Sequence, residues 1–242
     1  MQWVDCIIDA PAGSAAGSRS FWAAAIGWEI GEPWPDHPEF VSLQPPAGPS
    51  HVHVQVIDGP PRVHFDLSVA DIELETQRHV SLGATAGTKA EEWQVMASPG
   101  GLPYCLIGES RTVTRATAAR WPDGHATSLV QISIDSPDHL HDREVSFWPE
   151  VTGWELRASD SPEFGGKIYP SDGPLHFLFQ RLGSDDTATH TRAHIDLASD
   201  DVSSDVARLV EYGASVIGPG DGWVALRDPN GMPFCVTEQS PF

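Results

Sequence analysis

At 242 residues, with 40% apolar and 20% charged residues and nine Trp and nine Phe spread along its length, the chain can bury a substantial core and is neither disordered nor fibrous. Its formal charge of −20, from 34 acidic against 14 basic residues, repels phosphate backbones and anionic lipid, so nucleic acid and membranes are not expected partners. No run approaches a membrane span, the start MQWVDCIIDAPAG has no basic-then-apolar leader pattern, and three scattered cysteines suit a reducing compartment; a cytoplasmic location is expected.

In chain order, residues 3–9 (WVDCIID) read as a strand. The segment GSAAGSRSFWAAAIG then predicts a helix with Phe21, Trp22, Ala25 and Ile26 on its buried face, although glycine and serine weaken its start. Residues 51–57 (HVHVQVI) alternate, so His51, His53 and Gln55 share one face of a strand and Val52, Val54 and Val56 the other. A strand at 63–69 (VHFDLSV), a helix over 71–82 opened by Asp71 and stopped by Gly83, and a strand at 103–107 (PYCLI) complete the first half. The stretch 109–127 has little periodicity and a Pro-Asp-Gly turn signal. Beyond it come strands near 129–135, 175–181, 193–198 and 233–237 and helices near 140–150 and 201–212, the last with Val202, Val206, Leu209 and Val210 at helical spacing.

The second half repeats the first. Ser20-Phe21-Trp22 and Gly27-Trp28-Glu29 recur at a constant offset as Ser146-Phe147-Trp148 and Gly153-Trp154-Glu155. Pro38-Glu39-Phe40 recurs as Pro162-Glu163-Phe164, and His51 with Gln55 as His176 with Gln180. His64-Phe65-Asp66-Leu67, Gly83-Ala84, Trp93 and Cys105 answer, 130 positions on, to His194-Ile195-Asp196-Leu197, Gly213-Ala214, Trp223 and Cys235. Ordered matches whose offset changes in small steps mark a duplication, with the length differences in loops before His51 and between Gln55 and His64. The expectation is an α+β chain of two domains, 1–110 and 127–242, joined by a linker at 111–126, each domain built from two β-α-β-β-β modules.

Several constellations carry chemistry. His64 with Asp66, and His194 with Asp196, share a strand face, so the carboxylate can orient the imidazole as a base; the alternative is a buried pair that only ties strands together. His51 with Gln55, and His176 with Gln180, place an imidazole and an amide on one face in both copies, either as ligand contacts or as inherited structure. His53, with Leu178 as its counterpart, reads as part of a solvent-facing polar side over a valine core. Trp93 and Trp223 precede the last strand of each half and can stack on a flat organic ligand. Cys105 and Cys235, in near-continuous apolar strands, read as core filling. There is no nucleophile elbow, phosphate-cradling glycine loop or CxxC pair.

The Phe-Trp and Gly-Trp pairs of the first helix and the RDPNGMPFCV segment at 227–236, matched by ASPGGLPYCL in the first half, resemble the vicinal-oxygen-chelate superfamily, specifically glyoxalase-like domains present twice. The resemblance covers nearly the whole chain outside the linker. It implies curved, partly closed sheets with outer helices, enclosing a cup in which a small organic ligand lies against a divalent metal. Family ligand positions fall on His64 and His194, on Gln55 and Gln180 in place of a carboxylate, and on Cys105 and Cys235 in place of Glu, while on the first strand Gln2, Asp5 or Gln131 would have to serve. Hard cations want oxygen ligands and iron dioxygenase sites two His and a carboxylate, so this donor set does not favour a bound metal, and the cofactor stays unassigned. A small-molecule ligand is the expected partner, with the chain a monomer or a homodimer. The chemistry is either that of a lyase, isomerase or dioxygenase using His64 or His194 as base, or sequestration without a catalytic metal, as in bleomycin-resistance relatives. Which modules pair is left open.

Overall fold

The computed structural model describes residues 3–108, 117–170 and 173–241. The first module is β1 (Val4–Pro11), α1 (Ala15–Ile26), β2 (Glu29–Pro33), β3 (Phe40–Gln44) and β4 (Val52–Ile57). The second is β5 (Arg62–Ser68), α2 (Ile72–Ser81), β6 (Thr85–Lys89), β7 (Trp93–Ala97) and β8 (Pro103–Ile107). After the two-residue β9 (Ala119–Arg120), the third comprises β10 (Ala126–Ser136), α3 (Asp138–Thr152), β11 (Glu155–Arg157), β12 (Phe164–Tyr169) and β13 (His176–Arg181). The fourth is β14 (Arg192–Ser199), α4 (Val202–Glu211), β15 (Ser215–Pro219), β16 (Trp223–Arg227) and β17 (Pro233–Thr237). Each module is therefore β-α-β-β-β, and the fold is α+β.

The strands form two mixed sheets that do not close into barrels, in the orders β2-β3-β4-β1-β5-β8-β7-β6 and β11-β12-β13-β10-β14-β17-β16-β15, with β9 attached to β10. In the first, second and fourth modules the first and last strands pair in parallel, as β5 does with β8, and the hairpins pair antiparallel. The repeat's five-residue change of offset falls in the loop between β4 and β5, at 58–61, against 182–191 in the second copy.

Local chemistry sets the helix ends. Asp71 and Asp201 accept hydrogen bonds from the backbone N–H of Leu74 and Ser204, capping α2 and α4. Helices α1 and α3 stop at Gly27 and Gly153, both in the left-handed region with φ of 69° and 72°.

Two compact units account for the packing. One comprises Met1–Asp5, His64–Thr114 and Ile132–Ala193, essentially the second and third modules; the other comprises Cys6–Val63, Arg115–Gln131 and His194–Phe242, the first and fourth. In the first unit Phe65 meets Trp148 and Phe177 at ring-centroid distances of 5.1 and 4.7 Å, and Arg78 donates to the carbonyls of Glu150 and Val151 at the end of α3. In the second, Phe21 and Trp22 meet Phe234 edge-on at 5.8 and 5.2 Å, and Arg208 donates to the carbonyls of Ala24 and Ala25 at the end of α1. The aromatic faces of α1 and α3 are thus each covered by a module from the other half.

Two expectations need correction. The polar side of β4 is not solvent-facing: His51 and His53 are both only 2% exposed, and His53 is bonded to Ser42 Oγ at 2.9 Å. Within the stretch read as linker, residues 109–116 lie outside the described residues, but the remainder is structured. Ala119 and Arg120 pair with β10, and the Trp121 ring stacks 3.6 Å from the Arg208 guanidinium.

Candidate functional site

In the first unit, β5 and β8 run in parallel with Asp66 opposite Cys105. Strand alternation puts His64 on the same face, while Phe65, Leu67, Tyr104 and Leu106 turn to the other side and are fully buried. The His64 Nε2 to Asp66 Oδ1 distance is 3.7 Å. The second unit repeats this on β14 and β17: Asp196 lies opposite Cys235, His194 Nε2 is 3.2 Å from Asp196 Oδ1, and the Cys235 thiol is 3.5 Å from the same Nε2. In both triads one nitrogen, one oxygen and one sulfur lie within 4.8 Å of one another.

The half-buried cysteines therefore line the polar face, which corrects their reading as core filling. Their apolar chain neighbours concealed this, because a strand's two faces differ only by alternation.

The surroundings of the triads differ. In the second unit Gln131, on β10, donates from Nε2 to Asp196 Oδ2, and Gln239, just beyond β17, donates to Gln131 Oε1 at 3.4 Å and to Thr237 Oγ1 at 3.1 Å. In the first half the position of Gln131 belongs to Asp5, which accepts the Trp3 indole N–H at 2.8 Å. Gln2 lies outside the described residues. Trp93 shares the face of Val95, which lies opposite Cys105, and Trp223 that of Ala225, opposite Cys235, so both half-buried indoles stand on the triad faces.

The other expected ligand contacts sit in unlike settings. Gln55 lies opposite Asp9 and Phe40. His51 packs edge-on against Trp28 at 5.1 Å, whereas His176 stacks on Tyr169 at 4.7 Å. Gln180 donates to Glu163 at 2.8 Å. Neither amide is needed to complete a triad.

A cation is better served by these triads than the family positions suggest. Asp66 and Asp196 supply the missing carboxylate from the His strand itself, a pairing already present in the H-x-D spacing. Imidazole nitrogen, thiolate sulfur and one carboxylate oxygen are donors that Zn²⁺ accepts together, whereas Mg²⁺ wants an oxygen shell and an iron(II) oxygenase centre a second His. The set fits zinc and leaves room for a further ligand.

The repeated fold is that of a tandem glyoxalase-like protein of the vicinal-oxygen-chelate type. The glyoxalase-like domain family matches residues 5–107 and again 131–237, and the chain belongs to that family. No curated protein sequence matches it significantly. Solved structures of the same fold include a variant of 4-hydroxymandelate synthase from Streptomyces coelicolor, with a TM-score of 0.62 and 12% identity over 98% of this chain and 92% of that one. The 2,2′,3-trihydroxybiphenyl 1,2-dioxygenase from Sphingomonas wittichii strain RW1 is similar at a TM-score of 0.62 and 12% identity, covering 98% and 90% of the two chains. The 2,3-dioxygenase LapB from Pseudomonas sp. KL28 follows at 0.60 and 12%, covering 96% and 90%. At such identity the likeness is one of fold. Among the described residues no helix is long and apolar enough to cross a membrane.

Proposed function

We propose that the chain binds a small oxygen-bearing organic molecule at each His–Asp–Cys centre, with a zinc-type cation held by His64, Asp66 and Cys105 in one unit and by His194, Asp196 and Cys235 in the other. The convergence of Nε2, Oδ1 and Sγ within 4.8 Å in both triads carries this reading, because a tie between strands needs two of those atoms facing each other, not three. When bound, such a cation polarises a ligand carbonyl or hydroxyl, which suits lyase or isomerase chemistry. The protein's own part is positional. Gln131 fixes Asp196, and Trp93 and Trp223 offer flat apolar walls for an aromatic or planar portion of the ligand.

Elemental analysis of protein purified without chelator tests this directly. Wild type is expected to carry zinc, His64→Ala and His194→Ala each to lose part of it, and the double variant all of it. Protein that takes up no zinc on dialysis, yet quenches its Trp fluorescence on titration with planar oxygenated aromatics, would establish metal-free sequestration and overturn the cation part.

A further inference from the structure

In each unit the buried tryptophan of the aromatic helix, Trp148 of α3 or Trp22 of α1, sets its indole N–H beside a carboxylate, but the carboxylate comes from different places. In the first unit Trp148 donates to Glu144 Oε2 at 2.6 Å, both on α3, and Glu144 Oε1 accepts from Ser98 Oγ at 2.7 Å and Gly100 N at 2.5 Å in the turn before β8. In the second unit Trp22 of α1 donates to Asp228 Oδ2 at 3.2 Å, and Asp228, in the turn before β17, accepts from the backbone N–H of Asn230 and Met232 at 2.8 and 2.9 Å. By the offsets of the repeat, Glu144 answers to Ser18, Ser98 to Asp228 and Gly100 to Asn230. The acid has moved from turn to helix, and a serine has taken the opposite place.

The third position follows the same exchange. A Cβ at Gly100 would lie 2.1 Å from Thr191 Oγ1 and 2.5 Å from Glu144 Oε1, so both the chain before β14 and the helix's acid exclude a side chain there. The counterpart turn, whose Asp228 accepts from Trp22 on the serine-bearing helix, carries Asn230 at this position. Glu144, Ser18, Ser98 and Asp228 are all buried, at 0, 1, 4 and 4% exposure, so surplus or missing charge cannot be relieved by water.

We propose that these residues are a matching code that decides which modules pair: the acid-bearing helix α3 accepts only the serine turn of the second module, and the serine-bearing α1 only the aspartate turn of the fourth. Pairing α3 with the fourth module's turn would bury Glu144 against Asp228 and Asn230, two carboxylates in one dry site. Pairing α1 with the second module's turn would join Ser18 to Ser98 and leave the Trp22 N–H without an anionic acceptor. Both errors are costly, one by excess and one by deficit, which keeps the repeated modules from exchanging partners.

Full-length variants test the code in two ways. Ser98→Asp and Glu144→Ser should each lower the unfolding equilibrium stability constant roughly tenfold or more in urea titrations, and the S98D/E144S double variant should recover most of that loss. Simple additivity, or no loss in either single variant, would overturn the proposal. In S98D/E144S all four pairings are satisfied, so protein refolded from urea should show more than one set of Trp indole N–H resonances. The quintuple variant S98D/E144S/S18E/D228S/N230G, which exchanges the acid and serine positions and clears the third position beside the new acid, should return to one set, as in wild type. A stable double variant that refolds to a single set would show that the acids merely fill space.

Discussion

His79 is fully buried where the other copy of the repeat has Leu209, and its Nδ1 is 3.0 Å from the hydroxyl of Tyr104, itself the counterpart of Phe234. Burial, with Arg78 adjacent, pushes the imidazole pKa down to about 4. In the unfolded chain it titrates near 6.5. The folded state therefore holds His79 neutral: its stability is complete above about pH 6.5, declines as the unfolded chain alone takes up the proton, and stops declining below about pH 4. Importing the apolar pair of the other unit, as His79→Leu with Tyr104→Phe, should flatten the loss of stability between pH 7 and pH 5 in urea titrations. An unchanged slope would place the acid sensitivity elsewhere. At this scale the sequence showed His64 with Asp66 and His194 with Asp196, because two residues two apart on a strand must share a face. It misassigned Cys105 and Cys235, whose neighbours are apolar, and it could not show Gln239, whose role depends on where the chain runs after β17.

At the level of elements, the helix ends were legible and their surroundings were not. Gly27 and Gly153 both occupy left-handed C-caps, yet a Cβ at Gly27 would lie 2.6 Å from the Cβ of Ala119, whereas one at Gly153 meets nothing within 4 Å. Gly153→Ala should cost only the strained backbone, about 1 kcal/mol, and Gly27→Ala should cost a further 1 kcal/mol or so for displacing the segment at β9. Urea midpoints of the two variants check the difference, and equal losses would mean that this segment yields freely. The crowding at Gly27 comes from a stretch with no periodicity, which the sequence presents only as a linker. Its order derives from Trp121 stacking on Arg208 and from β9 pairing with β10.

For the whole molecule, a charge of −20 on 242 residues favours solubility and opposes compaction through self-repulsion. Raising NaCl from about 20 to about 300 mM shortens the screening length from roughly 20 to roughly 6 Å, so the thermal midpoint should rise by a few degrees. A fall would show that local ion pairs, such as Arg62 with the buried Asp9 at 2.6 Å, outweigh the net repulsion.

The sequence by itself determined the duplication, the four β-α-β-β-β modules and the faces on which His, Asp and Trp stand. These are written in periods of two and 3.6 residues and in a repeat offset, all readable along the chain. Only the tertiary structure decided that the second module packs with the third and the first with the fourth, and that a thiol joins each His–Asp pair. Those outcomes depend on complementarity between residues far apart in sequence: Glu144 with Ser98, Trp22 with Asp228, and Asp66 with Cys105 on the neighbouring parallel strand. No local pattern encodes such matches, because the two partners lie far apart in the chain and neither segment by itself shows which the other is.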